Sequence, residues 1–179
     1  MIVYFIRHTT PDIEKGICYG QSDIGLTSTF EDESDFLLSK IKDVEKHTVI
    51  SSPLKRCLKL AYKISLDAVT NPYLMELNFG DWELKPWNDI PQKEQDLWMT
   101  DFVKVPATNG ESYQELYDRV LHFYRSIEEH NTIVITHAGV IRSILAHATK
   151  TKLENSFEFK IPYGTIVKLN METHEYEIL

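Results

Sequence analysis

Arg7 and His8 follow directly on Ile2–Ile6, an unbroken apolar run. His137 follows in the same way on TIVIT, Thr132–Thr136, and Arg56 comes shortly after TVIS, Thr48–Ser51. Short runs rich in β-branched and aromatic residues read as buried strands. Each of the three stretches therefore repeats one event: a strand ends, a charged or titratable side chain appears, and a turn or helix begins. If the strands are parallel neighbours, Arg7, His8, Arg56 and His137 meet at the carboxyl edge of one sheet, where open α/β sheets bind ligands. Two arginines and two histidines there make an anion pocket, because guanidinium forks match phosphate oxygens bidentately. Imidazole is also a legitimate covalent nucleophile, and Glu76, near the end of TNPYLMEL, a legitimate proton carrier. The plainer reading of any one strand end is a solvated polar residue, and of Arg56 an ordinary surface arginine.

The intervening chain supplies elements to hold such an edge. Residues 11–26 carry Pro, Asp and Gly with no sustained period and read as a long loop of the kind that is usually functional. A helix is expected over 28–46, capped by Ser28, with Phe30, Phe36, Leu37, Ile41 and Val44 as its apolar stripe. Pro53 marks the start of the next helix, buried through Leu54, Cys57, Leu58, Ala61 and Tyr62. Arg56 falls in its first turn, where a cation opposes the helix dipole and an anionic ligand would relieve it. Residues 70–77 read as an edge strand delivering Glu76. Trp82, Trp87 and Trp98 read as packing for a flap of short helices. Residues 111–129 form the most periodic helix, capped by Asn109 or Ser112. A further helix follows His137 over 140–149, and the tail alternates as two strands joined near Glu172 and Thr173.

A chain of 179 residues is the length of one domain, and one domain over 1–179 is expected. The net charge of −8 argues against broad nucleic-acid binding, which needs a basic excess, but leaves room for a small anion held by local cations. Cys18 and Cys57 are too few for a disulfide framework. There is no GxxxxGK loop for a nucleotide triphosphate, and no CxxC, HExxH or EF-hand pattern, so neither a metal nor a cofactor is expected. His47, His122, His130, His147 and His174 are scattered and read as incidental. No leader pattern opens the chain and no apolar run approaches ~20 residues, so no membrane segment and a cytoplasmic location are expected.

RHT at 7–9, SSPLKR at 51–56, ELNFGDWE at 76–83, NGES at 109–112, VITHAG at 134–139 and IPYGT at 161–165 resemble, in order, the motifs of the histidine phosphatase family. The resemblance implies the phosphoglycerate-mutase-like fold, a three-layer α/β/α sandwich around a mostly parallel sheet. It also implies a metal-independent mechanism. His8 would attack phosphorus, Arg7, Arg56 and His137 would hold the phosphoryl oxygens, and Glu76 would protonate the leaving group. The substrate would be a small phosphomonoester, and the protein a monomer or homodimer. Thr9 departs from the family's usual Gly, and a β-branched residue resists positive φ, so either the backbone is ordinary there or the loop is rebuilt. RHTTP with GICYGQSDIGL resembles the alpha-ribazole phosphatase branch, making Thr9, Tyr19, Gln21 and Asp23 candidates for the substrate rim. The alternatives are a general phosphomonoesterase, a phosphosugar mutase, or a phospho-ligand binding module without catalysis.

Overall fold

The computed structural model describes residues 1–128 and 131–179. The expected helix end at Glu129, and His130, lie outside them. Apolar residues alternate along the strands, and that alternation decides the layers. Strands β1 (Ile2–Arg7), β2 (Thr48–Ser51), β3 (Val69–Thr70), β4 (Thr132–Thr136), β5 (Ile166–Asn170) and β6 (Tyr176–Ile178) form one sheet in the order β3-β2-β4-β1-β5-β6. Val3, Phe5, Val134, Val167 and Leu169 face one side, and Ile6, Val49, Ile133, Ile135 and Ile166 the other. On the first side they pack with Leu116 and Val120 of α4 (Tyr113–Arg125) and Ile141, Ile144 and Leu145 of α5 (Ala138–Thr149). On the second they meet Phe30 and Leu37 of α1 (Phe30–Leu38) and Cys57 and Leu60 of α2 (Lys55–Ile64). This is the expected α/β/α sandwich with a mostly parallel sheet: β4 pairs in parallel with β1 and β2, β2 with β3, while β5 and β6 are antiparallel.

Several elements differ from expectation for local reasons. Helix α1 starts after Thr29 rather than Ser28 and stops at Leu38. The Ser39 hydroxyl donates to the Phe36 carbonyl, a side-chain bond that competes with helix propagation, and Asp43 takes a left-handed conformation before a 3-10 turn at Val44–Lys46. Phe36, expected in the core, is exposed and lies under the Lys40 ammonium. Helix α2 begins at Lys55, past Pro53, and is capped from outside: the Asp23 carboxylate accepts from the Lys55 amide at 2.8 Å. Tyr62 is exposed, and Leu60 takes the core position instead. Ser112 is the cap of α4, in a capping box with Glu115.

The edge strand expected over 70–77 does not form. Strand β3 ends at Thr70, and the Asn71 side chain accepts from the Tyr73 amide to start a 3-10 turn, Pro72–Leu74, with Pro72 where its missing N–H costs nothing. The tryptophan stretch is packed as expected. Trp82, Trp87 and Trp98, the last on the short helix α3 (Gln92–Thr100), lie with ring centroids 5.9–6.2 Å apart and pack with Cys18 of the 11–26 loop.

Candidate active site

The sheet register builds the site. Arg7 pairs with Thr136 and Ser51 with Ile135, so β1, β4 and β2 end side by side. Arg7, His8, Arg56, Glu76 and His137 line one cavity of about 310 Å³. The convergence inferred from three strand ends is what the structure contains.

His8 is 2% exposed. Its Nδ1 lies 2.7 Å from the Thr9 carbonyl oxygen, which can only accept, so the proton is on Nδ1 and the Nε2 lone pair is free. Burial, and then the charge of Arg56, with a smaller push from Arg7, hold this imidazole well below its ordinary range, against the opposing pull of the Thr9 carbonyl. The ring is therefore neutral at neutral pH, as a nucleophile must be. His137 lies edge-on to it, with centroids 5.2 Å apart. It is also held neutral, first by burial and then by Arg56, and its Nε2 is 2.8 Å from the Ser52 hydroxyl. Buried Cys57 packs against the same ring with its sulfur 3.5 Å from Nε2, and burial pushes that thiol up, so it is inert.

The arginines are braced by backbone carbonyls rather than by carboxylates. Arg7 donates to the Ile161 carbonyl at 2.6 Å, and Arg56, 1% exposed, donates to Ser22 at 2.8 Å and to Gly20. Among the described residues neither has an acidic partner, and the Nε–H of each is buried without an acceptor. An unmatched buried donor costs roughly 1–3 kcal/mol, more when charged, unless an acceptor meets it. Both arginines line the cavity, and two cations there without an acidic partner among the described residues fit a tetrahedral anion.

Glu76 reaches the cavity from the irregular segment after the 3-10 turn. Its carboxylate accepts from the Leu77 amide at 2.9 Å and from Gly139, at the start of α5, at 3.1 Å. A Cβ on Gly139 would come within 2.3 Å of that carboxylate, so only glycine lets the helix end approach it.

The residues expected at the rim divide. Tyr19 lines the cavity, with its ring 5.5 Å from the Arg56 guanidinium carbon. Gln21 and Asp23 do not line it. The Gln21 side chain donates to the Glu76 carbonyl at 3.0 Å, and Asp23 caps α2 and pairs with Lys55. Both are drawn into the scaffold because the loop folds back over unsatisfied backbone groups. Thr9 is fully buried and has no positive φ, so the backbone there is ordinary. Its contribution to the site is its carbonyl.

Several neighbours escaped the sequence reading, among them Phe79, Trp87 and Tyr113 on the cavity wall. Tyr163 of IPYGT lies 3.8 Å over Arg7 and shares a 2.6 Å phenol–phenol hydrogen bond with Tyr19, roofing the arginines. Arg142 and Phe157 line the far end of the cavity, 4.8 Å apart. Arg142 stands one turn beyond Gly139 on α5, a spacing that could have placed it on the same face.

A family model described as the histidine phosphatase superfamily, branch 1, matches residues 3–179. Two curated relatives are each 27% identical to the chain. One, from Hydrogenobacter thermophilus, is named as a candidate phosphoserine phosphatase, and the match covers 95% of this chain and 89% of that one. The other is the adenosylcobalamin/alpha-ribazole phosphatase of Escherichia coli K12, with 92% and 87% covered. Among solved structures, the alpha-ribazole phosphatase of Shigella flexneri superposes with a TM-score of 0.88 over 100% of this chain and 95% of that one, at 24% identity, a likeness of fold.

Proposed function

The chain belongs to the histidine phosphatase superfamily, and from that premise we propose that it hydrolyses small phosphomonoesters through a phosphohistidine at His8. The observation that carries this reading is the pair of arginines, Arg7 and Arg56, that line one cavity with a neutral imidazole whose Nε2 is free and that have no acidic partner among the described residues. In the first step Nε2 attacks phosphorus, the P–O ester bond breaks, and Glu76 gives its proton to the leaving alkoxide. Arg7, Arg56 and His137 hold the three remaining oxygens, where charge accumulates. In the second step Glu76 takes a proton from water, water attacks phosphorus, and the P–N bond breaks to release phosphate. No step needs a metal.

The substrate we propose is alpha-ribazole 5′-phosphate. Its support is the similarity to the Escherichia coli phosphatase together with the cavity wall of Phe79, Trp87, Tyr113 and Phe157, which suits a flat heteroaromatic ring. Arg142 favours a second reading, a phosphomonoester that carries another anion, of which phosphoserine is an example. The test is phosphate release in EDTA from alpha-ribazole 5′-phosphate, phosphoserine and a panel of small phosphomonoesters. The expected result is a clear preference for alpha-ribazole phosphate. Turnover of the panel without that preference would remove this substrate and keep the phosphomonoesterase.

Glu76→Gln offers a separate check on the acid. Formation of the phosphoenzyme from aryl phosphates, whose leaving groups need no proton, is expected to survive. Turnover of alkyl phosphates is expected to fall by about 10²–10⁴-fold. Equal losses for both would remove Glu76 from the proton-carrying role.

A further inference from the structure

Glu76 belongs to no helix or strand, yet a proton carrier must be held within hydrogen-bond reach of the oxygen it serves. Its segment has no ladder to hold it, so its carbonyls must be satisfied elsewhere. The Leu74 carbonyl accepts from the Thr136 hydroxyl and the Glu76 carbonyl from the Gln21 side chain, but three carbonyls of the segment converge on one side chain, Arg119 of α4. Nη1 donates to the Tyr73 carbonyl at 2.7 Å and the Met75 carbonyl at 2.8 Å, and Nη2 to the Glu76 carbonyl at 2.9 Å. The remaining donors go to Glu111, Nη2 to Oε1 at 2.6 Å and Nε to Oε2 at 3.0 Å, so every N–H of the guanidinium is used. Glu111 closes the unit on the other side of Glu76: its Oε1 accepts from the Asn78 amide at 2.9 Å, and its own amide donates to the Asn78 carbonyl at 2.9 Å.

We propose that the Arg119–Glu111 pair is the positioning unit of Glu76, a two-residue substitute for the strand that would otherwise carry the acid to the cavity. The proposal rests on the reading of Glu76 as the proton carrier. Arg119 does not line the cavity, so its effect on the reaction runs through Glu76. A planar fork with five donors can bridge three carbonyls of one segment and a carboxylate at once. Lysine carries only three donors on a point charge and cannot reproduce that geometry. The pair is mostly buried, with the Arg119 and Glu111 side chains 17% and 16% exposed, so solvent does little to loosen it.

The experiment compares Arg119→Lys and Glu111→Gln with wild type and Glu76→Gln in two assays. One is the burst of nitrophenolate from p-nitrophenyl phosphate, which reports attack by His8 without a need for an acid. The other is steady-state turnover of an alkyl phosphate, which needs Glu76 in both steps. A displacement near 1 Å is worth roughly 10²-fold in rate. Arg119→Lys is therefore expected to lower alkyl turnover by about 10²-fold while the burst rate falls less than about tenfold. Added to Glu76→Gln, it is expected to cost little more, because the two act as a unit. Equal losses in both assays, or losses that multiply in the double variant, would make Arg119 a general support of the fold and overturn the inference. If Glu76→Gln itself shows no difference between the assays, the role assigned to Glu76 fails, and the inference falls with it. Glu111→Gln keeps the arginine and one carbonyl acceptor, so it carries the same comparison should Arg119→Lys not fold.

Discussion

His8→Ala is expected to lower turnover by about 10⁴-fold or more and to leave no phosphoenzyme. The expectation follows from the tautomer. With Nδ1–H committed to the Thr9 carbonyl, Nε2 is the one basic atom of the ring that can bond to phosphorus. Burial and the Arg56 charge keep it unprotonated at neutral pH. The other ring in the cavity, His137, has its Nε2 2.8 Å from Ser52, and the neighbouring thiol of Cys57 is held protonated by burial. Neither is free to take over the attack. Steady-state kinetics with a thermal melt separate loss of chemistry from loss of fold. A folded variant that still forms an acid-labile phosphoenzyme would place the nucleophile elsewhere.

Arg56→Ala is expected to cost about 10²–10³-fold in kcat, the size of effect seen when one preorganised donor to a developing charge is removed. Arg56 is also a strut, because its guanidinium accounts for the Gly20 and Ser22 carbonyls of the loop that carries Tyr19. The two roles separate in Arg56→Lys, which keeps a charge and loses the fork. A kcat that stays depressed in the lysine variant, in a protein that melts like wild type, is the expected result. Near wild-type activity in Arg56→Ala would reduce the residue to its strut role. The loop does not depend on Arg56 alone, since the Glu83 carboxylate also accepts from the Gln21 amide at 2.7 Å and from Ser22.

The part of the site that stands on strand ends was legible because a buried strand has few ways to present a charge. A run such as TIVIT has no polar face, so His137 had to emerge at its end. Strand order was not legible. That β4 lies between β1 and β2, and so brings Arg7, Arg56 and His137 together, depends on pairing between segments far apart in the chain. Glu76 was legible as a residue and not as a structure. Pro72 and the Asn71 side chain break the strand expected over 70–77, and the segment is held by Arg119, more than forty residues later. The loop of residues 11–26 misled for a related reason. Gln21 and Asp23 are polar and near the motif, yet they satisfy backbone groups of the scaffold, Asp23 on α2 and Gln21 on Glu76. Tyr163 needed the third dimension, because it reaches Arg7 across a turn whose relation to the arginines no local spacing encodes, whereas Arg142 was open to the helical spacing from Gly139 on α5.

The claim on which the rest depends is that phosphate passes through the Nε2 atom of His8. It is tested most directly by mixing the enzyme with p-nitrophenyl phosphate, quenching at alkaline pH within the burst, and mapping the phosphorylated peptide by mass spectrometry. The account predicts phosphate on the peptide that contains His8, located at that residue, in a species that survives base and is lost in acid. Phosphate on Ser52, Cys57 or His137, or product release with no phosphorylated protein at any time in the burst, would contradict it.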